Sequence, residues 1–137
     1  MKMKNEYINE AGGIIRQYYG LPKDYTNIGD LEIMHQKLVS LYFFLSVEYN
    51  EYFAMYVSAE NAKNNTINNY KLEIKNSGKT VAESEMLARQ KSKQEIDKYD
   101  ELFVIVESYK RILSAIKLVS ESIKQRISNI KHEKDNV

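Results

Sequence analysis

Asn76-Ser77-Gly78-Lys79-Thr80-Val81-Ala82-Glu83 is the strongest turn signal in the chain, and its reading decides the fold. Gly78 suits the left-handed backbone conformation that closes a helix. Thr80 and Glu83 have the spacing of a capping box: the Thr80 side chain can take an orphan N–H, and Glu83 can reach back. One helix therefore stops just before this stretch, and another starts inside it.

Upstream, residues 31–75 contain no Pro and no Gly. They predict one helix from Leu31 to about Lys75, with Asp30 as its N-cap. Leu38, Tyr42, Leu45, Tyr49, Tyr52, Tyr56 and Ala59 form a heptad-like seam along it. Phe43, Phe44, Val47, Phe53 and Met55 lie off that seam, so the helix is apolar on more than one face and needs cover on several sides. Past Ser58 the pattern thins into Asn and Lys. Downstream, a last helix is predicted from Val81 to about Lys134. Its seam is Ile96, Tyr99, Phe103, Val106, Leu113, Ile116, Val119 or Ser120, Ile123, Ile127 and Ile130. Ahead of both, Asn5 to Tyr19 is a short helical stretch weakened by Gly12-Gly13 and ended by Gly20-Leu21-Pro22.

The expected architecture is all-α. A short N-terminal helix and linker (1–29) precede a long antiparallel helical hairpin (30–137) with its turn at 76–79. Two helices bury one stripe each and leave too little core, so assembly into an oligomeric helical bundle is expected. The predicted interface is Tyr42, Phe43, Phe44, Tyr49, Tyr52, Phe53, Tyr56 and Phe103; a monomeric three-helix bundle is the competing arrangement.

The 137 residues allow one ordinary domain. A formal charge of +1 excludes a strongly basic histone-like binder and a strongly acidic DNA mimic. No cysteine is present, which excludes disulfides and thiolate metal sites. Met1-Lys2-Met3-Lys4-Asn5-Glu6 runs into no apolar segment, so no signal peptide is expected. The most apolar run, residues 38–47, stops at Glu48, far short of the roughly 20 residues that span a bilayer. These features predict a soluble cytoplasmic protein that does not use a membrane.

Chemistry-bearing constellations are sparse. His35 and His132 have no nucleophile beside them. Glu32-Ile33-Met34-His35 matches the Glu-x-x-His spacing of di-iron bundles, but such a site needs a second copy and two further glutamates. No phosphate-binding glycine loop occurs. No cofactor, metal or catalytic residue is expected, and the protein is read as a non-enzyme. Charge is distributed unevenly: residues 1–57 hold five basic and seven acidic groups, and residues 58–137 hold fifteen and twelve. Around the turn, Lys63, Lys71, Lys75, Lys79, Arg89, Lys91 and Lys93 surround Tyr70 and several asparagines. Lysines there could follow a phosphate backbone while Tyr70 offers a face for stacking. Glu73, Glu83 and Glu85 blunt the patch, and a solvated helix surface explains it too. A second basic strip, Lys117, Lys124, Arg126 and Lys131, lies on the last helix.

The polar helix running through Asn69-Tyr70-Lys71-Leu72-Glu73-Ile74-Lys75-Asn76-Ser77-Gly78 is followed by an amphipathic C-terminal helix. That helix carries Leu87-Ala88-Arg89-Gln90-Lys91, Tyr109-Lys110-Arg111-Ile112-Leu113 and Ile123-Lys124-Gln125-Arg126-Ile127. Together, over about residues 31 to 132, this layout resembles the UvsY-type recombination mediators of tailed phages. The resemblance implies a short helical protein without enzymatic activity that binds single-stranded DNA and assembles into a closed oligomer. It would act in the cytoplasm of a bacterial host, helping a recombinase replace single-strand-binding protein. Lys71 and Lys75, with Tyr70 ahead of them, occupy the family's DNA-contacting region, here without an Arg. The alternative is a phage accessory, structural or inhibitor protein acting through helix-mediated protein–protein binding.

Overall fold

The structure is a computed structural model that describes residues 2–135, with side chains from Glu6. It is all-helical: α1 spans Lys2–Tyr19, α2 Ile28–Lys75, α3 Val81–Lys91 and α4 Lys93–Asp135. No strand occurs among the described residues.

α1 begins at Lys2, three residues before the expected Asn5, and two further helix ends differ from the sequence reading. The N-cap of α2 is Asn27, not Asp30. The Asn27 Oδ1 accepts the Asp30 N–H at 3.2 Å, and its carbonyl accepts the Leu31 N–H at 3.2 Å. Asp30 lies in the first turn instead, where its charge favours the helix N-terminus. The predicted single helix from Val81 is divided at Ser92, whose ψ of 18° departs from helical geometry. The break is narrow. The Ser92 N–H is shared between the Ala88 and Arg89 carbonyls, and the Ser92 carbonyl still accepts the Ile96 N–H at 3.0 Å.

The helices form two compact units, Met1–Tyr49 with Ser108–Val137, and Asn50–Glu107. The first unit thus combines α1 with the start of α2 and the end of α4. In that unit α1 buries Ala11, Ile14 and Tyr18, and α2 buries Leu31, Met34, Leu38, Leu41 and Leu45. The last part of α4 contributes Tyr109, Ile116, Val119, Ile123 and Ile130. Polar contacts fix the register. The Tyr18 and Ser122 hydroxyls lie 2.7 Å apart, and the Tyr109 hydroxyl donates to the Glu48 Oε2 at 2.8 Å. Arg126 donates to the Tyr25 carbonyl at 3.2 Å and closes the loop after α1 onto α4. Along α2, Glu48 meets Tyr109 and Glu32 meets Lys131 of α4.

The second unit buries fewer apolar side chains. Ile67, Ile74 and Ala88 form a small buried cluster, flanked by Tyr70, Leu87 and Ile96. The buried face of α3 is made of Ser84 and Ala88, small side chains that let α2 approach closely. Nearer the other end, Tyr52, Ala59, Leu102 and Val106 are buried. The predicted seams therefore need correction. Leu41 is buried where Tyr42 was expected, and Leu102 and Tyr109 are buried while Phe103 lies at the edge, half-exposed with its ring 6.1 Å from that of Tyr56.

Candidate functional site

The turn of the second unit is built as the sequence indicates. Gly78 adopts φ +79°, in the left-handed region that favours glycine. The Ser77 N–H bonds the Ile74 carbonyl at 2.9 Å, capping the end of α2. Across the turn, the Glu83 N–H donates to the Thr80 Oγ1 at 3.2 Å, and the Thr80 N–H donates to the Glu83 Oε2 at 3.3 Å.

The basic residues gathered around this turn are mostly engaged. Glu85 forms ion pairs with both Lys71, at 3.7 Å, and Arg89, at 3.6 Å. Lys93 bonds Asp97 at 2.8 Å, and that hydrogen bond raises the lysine's pKa. Lys63 lies over the Tyr99 ring at 3.7 Å, and Lys91 over the Tyr70 ring at 5.5 Å. Tyr70 itself is half-buried against the Ile67–Ile74–Ala88 cluster. Its ring is thus part of the packing, with Lys91 beside it, where an open stacking platform was expected. Lys75 and Lys79 are exposed, and no acidic partner for either occurs among the described residues. Exposed ion pairs of this kind contribute little to stability, about 0–1 kcal/mol each.

The predicted interface residues divide into three groups. Tyr52 is buried within its own unit, and Tyr49 and Tyr56 are half-buried. The Tyr56 hydroxyl lies 2.9 Å from that of Tyr99. This hydrogen bond, with desolvation and the nearby Glu60, pushes the Tyr56 pKa up to about 12. Phe44 stacks on Tyr7 of α1 at 5.4 Å. Tyr42, Phe43, Phe53 and Phe103 remain exposed. Phe43 forms a stripe with two residues that the interface prediction did not include. Val39, Phe43 and Val47 stand at i, i+4 and i+8 on α2, and are 51%, 65% and 45% exposed. Their four-residue spacing was the available signal.

Beside this stripe, an open groove of about 330 Å³ runs between α2 and α4 in the first unit. Val39, Tyr42 and Ile116 supply its apolar surface, and Lys117, Glu121 and Lys124 its charged surface. His35 also lines it, while His132 lines a separate groove with Lys131 and Asp135. Glu32 pairs with Lys131 at 3.9 Å. Among the described residues no group of three His, Cys, Asp or Glu side chains is placed to hold a metal ion. No helix among them is long and apolar enough to cross a membrane. Comparison with known proteins finds no matching family model, curated protein or solved structure.

Proposed function

We propose that this chain is a non-enzymatic helical protein that self-associates through the exposed face of α2 in its first unit. The observation that carries the reading is the Val39–Phe43–Val47 stripe. Between Lys37 and Glu48 the helix has no charged residue at all. Association there desolvates apolar carbon and leaves no buried charge unpaired, which is the composition of an interface centre. The oligomeric bundle of antiparallel helices belongs to the same proposal. Phe43→Glu tests it. Sedimentation velocity should show the wild type heavier than one chain and the variant as a monomer with unchanged helical circular dichroism. A wild type that sediments as one chain at all concentrations would sink the idea.

A second reading is that the turn of the second unit contacts single-stranded DNA, in the manner of a recombination mediator working with a recombinase and single-strand-binding protein. One observation favours it: residues 61–93 hold seven basic and three acidic groups. The exposed Lys75 and Lys79 stand at its centre. A labelled oligonucleotide that shows no binding at low salt rules this out.

A further inference from the structure

The groove between α2 and α4 in the first unit has an apolar floor and two lysines on one wall. Lys117 and Lys124 are seven residues apart on α4, about 10.5 Å along the helix, and both are exposed. Lys131 continues the same row. A surface of this kind fits a helix that offers apolar side chains between carboxylates at matching spacing. The second unit carries such a helix face. Asp100, Phe103, Val104 and Glu107 occupy positions i, i+3, i+4 and i+7 of α4, one face of one helix. Phe103 is 45% and Val104 63% exposed. Asp100 and Glu107 are also seven residues apart, the same spacing as the two lysines. The wider charge distribution agrees. Residues 50–60 and 94–107 hold seven acidic groups and one basic, whereas the first unit holds twelve basic and nine acidic.

We infer that the occupant of the groove is a second copy of this chain. Phe103 and Val104 of one copy lie on Val39 and Tyr42 of another, with Asp100 and Glu107 against Lys117 and Lys124. The inference rests on the self-association proposed above and extends its contact from the Val39–Phe43–Val47 stripe into the groove beside it. Two different patches meet, so the contact is heterologous, and repetition of it builds a ring or an open filament instead of a two-fold dimer. Glu121 on the groove wall opposes an acidic occupant, so the contact needs both lysines.

Paired charge reversals test it by sedimentation velocity. Lys117→Glu with Lys124→Glu makes a groove variant, and Asp100→Lys with Glu107→Lys makes a face variant. Each alone is expected to sediment as a monomer at concentrations where the wild type assembles, because its two surfaces carry like charges. An equimolar mixture of the two regains mass, since each groove then meets an opposite face. Misfolding of either variant would not be rescued by mixing, and circular dichroism of each checks helicity. If both variants assemble like the wild type, or if two well-folded monomeric variants fail to associate when mixed, the contact is wrong while self-association stands. A monomeric wild type overturns both.

Discussion

Tyr56 shows how one hydrogen bond ties a residue's protonation to the fold. Its phenol is hydrogen-bonded to the Tyr99 hydroxyl at 2.9 Å, and the pKa rises from 10.0 to about 12. The raised value means that the folded state favours the neutral phenol. The stability this provides is complete below pH 10 and is lost as pH climbs through about 12. Tyr99→Phe keeps a ring against Tyr56 and removes the hydroxyl partner. Urea midpoints should then place the variant below the wild type at pH 9, with the gap closing toward pH 12. A gap that is constant over that range would show that the pair does not titrate with folding. Ser92 is the opposite case. Its side chain is fully buried and its hydroxyl has no hydrogen-bond partner among the described residues, beside the one non-helical ψ between α3 and α4. Nothing in Lys91-Ser92-Lys93 resembles a helix breaker, which is why the division went unread in the sequence.

At the scale of elements, local rules were legible and facing rules were less so. The cap at Thr80–Glu83 and the left-handed Gly78 depend only on neighbours a few residues away, and both occur where the sequence placed them. The capping box should matter most at the start of α3, whose buried face is only Ser84 and Ala88. Thr80→Ala removes one acceptor and is expected to cost about 1 kcal/mol. Amide hydrogen exchange at residues 81–84 should quicken before exchange in α4 does. Uniform protection across α3 and α4 in the variant would mean that packing, not the cap, sets the end of the helix. Seams behave differently. Leu41 and Tyr42 are adjacent, and so are Leu102 and Phe103, so periodicity alone admits either. The smaller aliphatic side chain is buried in both pairs, and the aromatic ring is left at the edge. Asn27 over Asp30 as the α2 cap was a similar choice between two competent residues three apart.

Across the whole molecule, the sequence pattern conveyed helices and an excess of apolar surface, but not which charges are occupied. Seven cations near the turn suggest a binding patch when only their positions are known. Lys71 and Arg89 share Glu85, Lys93 holds Asp97, and Lys63 and Lys91 sit on tyrosine rings. Pairing reduces what each can offer a phosphate, and a salt titration measures the remainder. For single strands the slope of log affinity against log salt is about −0.7 per phosphate neutralised. If only Lys75 and Lys79 act, the slope is about −1.4; if all seven act, it approaches −5. The occupied geometry favours the shallow value, hence weak binding that survives moderate salt. Lys75→Glu with Lys79→Glu should then abolish oligonucleotide binding in fluorescence anisotropy while the wild-type slope stays near the smaller figure. A steep slope that the double variant reduces by only about 1.4 would mean that the paired cations release their partners for the nucleic acid.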